Sequence, residues 1–123
     1  MKTPTDYTFI SLTGLREDTF GDEEIFMAIV QLFQESIDEF LEILEKCWPE
    51  KQWEELYQAT HKIKPNITMF GISSLEQEIL NLESLFSSQG NPKDINDLVE
   101  KCQSILTQVK LELEAELNNK PHE

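Results

Sequence analysis

A chain of 123 residues suits one domain around one hydrophobic core. Its 24 acidic residues against 10 basic ones give a formal charge of −14, which disfavours nucleic acid and anionic membrane, because both reward Lys and Arg at phosphates. Apolar residues at 39% fit an ordinary globular composition, and 4 glycines with 5 prolines argue against a turn-rich β fold. No apolar run approaches the roughly 20 residues of a membrane span. The opening "MKTPTDYTFISL" lacks the apolar core of a signal peptide, so a cytoplasmic protein is expected. Cys47 and Cys102 stand alone, without a C-x-x-C pair or metal-ligand spacing, and read as reduced, partly buried thiols.

Residues 1–21 read as a leader with turn residues Pro4, Gly14 and Gly21. Its apolar anchors are Tyr7, Phe9, Ile10, Leu12 and Leu15, and "LRED" is a candidate helical turn. A first long helix is expected from Asp22 to Lys46, with Phe26, Ile29, Val30, Phe33, Ile37, Phe40, Leu41 and Leu44 on one face. Pro49 breaks it, and a second helix should start at Pro49 or Glu50 and end at Phe70, capped by Gly71. In "SSLE", Ser73 and Glu76 suggest a capping box for a third helix with Leu75, Ile79, Leu82 and Phe86 inward. A fourth should start at Pro92 with Asn91 as cap, and the tail 119–123 should fray. Four amphipathic segments with short connections predict an all-α antiparallel up-down four-helix bundle over residues 22–118, with the leader packed on it.

One stretch departs from the acidic background. From Leu56 to Leu75 there is no Asp or Glu, while "HKIKP" brings a histidine and two lysines. With His61 set at zero on a helical wheel, Leu56, Ala59, Ile63, Ile67 and Phe70 fall at about 160–240°. His61 therefore points away from the buried face, with Lys64 about 60° to one side and Pro65 about 40° to the other. Metal binding finds no support, since His122 in the tail is the only other histidine. General acid–base catalysis finds none either: no carboxylate lies within one turn of His61, and a short-looped bundle offers little concavity. An exposed nucleophile beside a cation suits the carrying of an anionic group such as a phosphoryl. The competing class is a non-catalytic four-helix adaptor that binds a signalling partner.

The run "HKIKPNITMFGISSLEQEILNLE" resembles the histidine phosphotransfer (HPt) domains of bacterial phosphorelays. Their motif falls on His61, Lys64, Pro65, Gly71, Leu75, Leu82 and Glu83, and the likeness extends over roughly residues 20–110. Pro65 stands where the family usually has glycine. It cannot donate to the His61 carbonyl, so a bend at His61–Pro65 is expected. The resemblance implies a phosphocarrier without autokinase activity, its acceptor His61 and its charge-stabilising residue Lys64. Lys62, Pro65, Thr68 and Gly71 would line the docking surface. The implied partners are receiver domains of response regulators or hybrid sensor kinases. The chain itself should need no cofactor, with Mg²⁺ on the receiver. A monomer is expected, and Met1 with the short tail favours a free-standing protein over a piece of a kinase.

Overall fold

The structure, a computed structural model, describes residues 7–118. Among them are five helices and no strand: α1 (Thr13–Asp18), α2 (Glu23–Cys47), α3 (Trp53–Met69), α4 (Ser73–Ser88) and α5 (Pro92–Asn118). The expected frayed tail, with His122, lies outside the described residues.

The apolar periodicity of each long helix becomes its buried stripe. Phe26, Val30, Phe33, Ile37, Phe40 and Leu44 line the inner face of α2, and Leu56, Ala59, Ile63 and Ile67 that of α3. The long helices pack in a cycle, α2 on α3, α3 on α4, α4 on α5 and α5 on α2, so the stripes meet in one core. At one end of this bundle Trp48 and Trp53 meet edge-on at 6.0 Å, and both rings approach Phe86 of α4.

Of the two expected N-terminal caps, the one at Asn91 forms and the one at Ser73 does not, and Asp22 adds a cap where the first long helix was expected to start. Asp22 accepts the Ile25 N–H at the start of α2, and Asn91 accepts the N–H groups of Lys93 and Asp94 at the start of α5. Ser73 makes no capping bond: it is already the first helical residue of α4, and Ile72 holds the cap position without a side-chain bond. The reason lies one step upstream. Gly71, at φ +62°, donates to the Thr68 carbonyl, and Ile72 donates to Ile67. This is a Schellman motif, with Ile67 and Ile72 buried across it. The chain leaves α3 and enters α4 within three residues, and the apolar Ile72, not Ser73, falls at the cap position.

The α2–α3 connection also differs from expectation. The Cys47 carbonyl accepts from Gln52 and the Trp48 carbonyl from Lys51, while Lys51 takes φ +54°. Pro49 therefore sits in a closed turn, and α3 begins at Trp53 instead of Pro49 or Glu50.

The segment before α2 is bound to the bundle. Ile10, Leu12 and Leu15 are buried in the common core. The Glu112 carboxylate on α5 accepts the backbone N–H groups of Thr8, Phe9 and Ile10 at 2.9–3.2 Å. The Tyr7 hydroxyl donates to Glu116 at 2.8 Å, and Arg16 pairs with the same carboxylate while lying 4.0 Å over the Phe26 ring. Burial, and then the adjacent Glu116, push the Tyr7 hydroxyl well above the usual phenol range. On its other side this strap donates the Ser11 N–H to the Phe70 carbonyl at the end of α3.

Candidate functional site

α3 carries the acid-free stretch and is helical without interruption from Trp53 to Met69. Pro65 lies inside it and does not divide it, although the proline leaves the His61 carbonyl without its usual donor. Thr60, just before the histidine, is buried and satisfied by the Leu56 carbonyl at 2.8 Å. The next position turns outward, and the His61 side chain is 59% exposed. Tyr57, one turn earlier, stacks on the imidazole with ring planes 18° apart.

A carboxylate does orient the ring, contrary to the reading of the sequence. Glu83 comes from α4, twenty-two residues on, and its Oε2 lies 2.6 Å from His61 Nδ1. Its other oxygen, Oε1, accepts from Lys64 Nζ at 2.9 Å. At 13% exposure the Glu83 side chain is mostly shielded, whereas the ring it holds faces solvent. The Lys64 ammonium first, with His61 adding to it against the opposing effect of burial, holds the Glu83 carboxyl below the usual glutamate value of 4.5.

This geometry fixes the tautomer. A carboxylate only accepts, so Nδ1 carries the proton, and in the neutral ring Nε2 is the nitrogen with a lone pair. Lys64 spends one of its three N–H donors on Glu83 and keeps two. Glu83 was hinted at only by the Leu82–Glu83 pair of the HPt motif. Nothing in the spacing along α3 could show it, because the partner lies on another helix.

The remaining candidates are placed unequally. Pro65 and Thr68 are exposed on α3 near His61 in sequence. Lys62 is 70% exposed and pairs with Glu39 of α2 at 3.2 Å. Gly71 has a structural reason to be glycine apart from any docking. It is half-buried against the strap, and a Cβ there would lie 2.8 Å from the Ser11 Cβ. Its glycine is required by the positive φ and that close approach. The acid-free stretch is likewise free of acids in sequence only, since Glu83 and Glu39 reach it from the neighbouring helices.

The expectation of little concavity fails too. A groove of about 650 Å³ runs between α2 and α3 and includes His61 and Lys62 in its wall. The two cysteines are free thiols, and burial pushes the Cys102 thiol up to about 12. Among the described residues no group of three or more His, Cys, Asp and Glu is placed to hold a metal ion. No helix among them is long and apolar enough to cross a membrane.

The site thus presents a histidine on the outside of a helical bundle with Nδ1 held by Glu83. The family model for the Hpt domain matches residues 28–119, which is most of the chain, and the protein belongs to that family. Hpt domains are phosphotransfer modules of phosphorelays and bind receiver domains there. No curated protein and no solved structure matches the chain.

Proposed function

We propose that this protein relays a phosphoryl group between the aspartates of receiver domains through a phosphohistidine at His61, on an antiparallel up-down four-helix bundle. The observation that carries the reading is the 2.6 Å contact between His61 Nδ1 and Glu83, which leaves Nε2 as the exposed nucleophile.

The Nε2 lone pair attacks the phosphorus of a receiver's aspartyl phosphate. An N–P bond forms, the P–O bond to aspartate breaks, and the aspartate leaves as a carboxylate with the electron pair. Nδ1 keeps its proton, so the ring gains positive character as the bond forms. Glu83 faces that proton and stabilises the developing charge. The two free donors of Lys64 offset the phosphoryl oxygens. Transfer onward is the reverse reaction with a second receiver. Mg²⁺ belongs to the receiver in this reading, and the chain neither binds ATP nor phosphorylates itself. Lys62, Pro65 and Thr68 form the adjoining docking surface, Lys62 after release from Glu39.

The test is transfer of labelled phosphate from a phosphorylated receiver. Wild-type protein should take up acid-labile label, and His61→Gln should take up none while remaining folded, its stability lowered by about 1 kcal/mol at most through the lost Glu83 contact. Label persisting on His61→Gln would assign the acceptor elsewhere and end this reading.

A further inference from the structure

The groove between α2 and α3 is more than a gap beside the histidine. Its floor is apolar, built from Phe40 and Ile43 of α2 and Ala59 and Ile63 of α3. Phe40, Ala59 and Ile63 are otherwise buried, so the groove opens a window onto the core. It exists because small side chains, Ser36 on α2 and Ala59 on α3, contribute to its walls. At about 650 Å³ it falls within the roughly 300–1,000 Å³ typical of small-molecule sites.

Its charge is uneven along its length. On the His61 side, Lys62 and Glu39 neutralise one another. At the other end stand Glu54 and Glu55, in the first turn of α3. Both are exposed, Glu54 accepts only from the neutral Gln58, and among the described residues no cation pairs with either. An anion would meet these carboxylates on a chain of formal charge −14. A neutral apolar molecule would gain nothing from these exposed carboxylates, which stay hydrated either way. A cation with an apolar body satisfies both features.

We propose that the groove is a binding site for a small organic cation of the alkylammonium or arylammonium class. Its apolar body lies on Phe40, Ile43, Ala59 and Ile63, and its positive end sits at Glu54 and Glu55. Because His61 and Lys62 share the same groove wall, an occupant would crowd one side of the imidazole. The site does not depend on His61 carrying a phosphoryl group, and its test reads binding alone.

The probes are octyltrimethylammonium below its micelle concentration, tetramethylammonium and octyl sulfate, titrated into the isotopically labelled full chain and followed by backbone amide NMR. Octyltrimethylammonium should give saturable shifts at Phe40, Ile43, Ala59 and Ile63. Tetramethylammonium should leave these amides unmoved, as should octyl sulfate. The double variant Glu54→Gln, Glu55→Gln should bind octyltrimethylammonium severalfold more weakly, as for the loss of exposed ion pairs, and should still fold, with unfolding lowered slightly by the loss of two acids from the first turn of α3. The proposal is overturned if octyl sulfate binds the groove as well as the cation does. It is equally overturned if the largest shifts fall at exposed apolar residues elsewhere, such as Phe20 or Leu111, or if the double variant binds like wild type.

Discussion

A carboxylate has two oxygens, and Glu83 uses them for different purposes. One orients the imidazole, and the other holds the ammonium of Lys64 one helical turn beyond it. Replacing Glu83 by Gln keeps the shape and one acceptor oxygen but removes the charge that faces Nδ1. Transfer to His61 should then slow by about ten- to a hundredfold, within the range for losing one stabilising group in a transition state. Lys64→Ala should slow transfer too without abolishing it, since the nucleophile remains. Single-turnover transfer from a phosphorylated receiver measures both; unchanged rates would reduce Glu83 and Lys64 to structural roles. The same pair predicts an acid effect on folding. The Glu83 carboxyl titrates lower in the folded chain than unfolded, so its contribution is complete above pH 4.5 and is lost as pH falls through the lowered folded-state value. Denaturant unfolding from pH 7 down to pH 3 should show a smaller loss of stability for Glu83→Gln than for wild type. The ring's outward direction was legible in the sequence, because the 3.6-residue period fixes which side of α3 is buried. The carboxylate behind the ring was not, because contact between α3 and α4 is a matter of packing across helices.

At the scale of elements, the short junction between α3 and α4 is the tightest constraint. Gly71 combines a left-handed backbone with a strap that passes too close for a Cβ. Gly71→Ala should cost about 1–2 kcal/mol from the backbone alone, with a further loss from displacing Ser11. Gly21→Ala is the matched control, since Gly21 also has a positive φ, +78°, but a Cβ there meets nothing within 4 Å. Chemical denaturation of both variants checks this, and equal stabilities would remove the strap contact from the account. Gly71 as a helix terminator was visible in the sequence, since glycine after the last apolar residue is a stop signal. Its role against the strap was not visible, because Ser11 lies sixty residues upstream. The Ser73 capping signature misled for a related reason: the pattern S-x-x-E is local, and the Schellman turn just before it had already taken the cap position. Asn91 caps as its sequence suggests, although α4 also ends in a left-handed turn just before it, with Gln89 at φ +53° and the Gly90 N–H on the Leu85 carbonyl; there the residue after the turn is Asn91 itself, whereas after Gly71 it is the apolar Ile72.

The whole molecule carries a charge of −14 on a small domain, with acids on every long helix. Like-charge repulsion of this size opposes the compact state, and salt screens it over a Debye length of about 10 Å at 0.1 M. The melting temperature should therefore rise as NaCl is added from low ionic strength. A fall would mean that ion pairs such as Lys101–Glu78 and Lys110–Asp38 outweigh the general repulsion. An all-helical fold was readable in advance, because each long segment keeps one apolar period between breakers. The groove was not, since it depends on which small residues face each other across α2 and α3.

The aromatic cluster at the far end of the bundle gives the protein a built-in optical reporter. Both tryptophans are there, Trp53 eight residues before His61 on the same helix, which is about 12 Å along its axis. Neither indole contacts the imidazole, whose stacking neighbour is Tyr57. Tryptophan emission will therefore follow the opening of the junction between α2, α3 and α4. Chemistry confined to the imidazole will leave that emission unchanged, so the emission reads the opening of the bundle by itself.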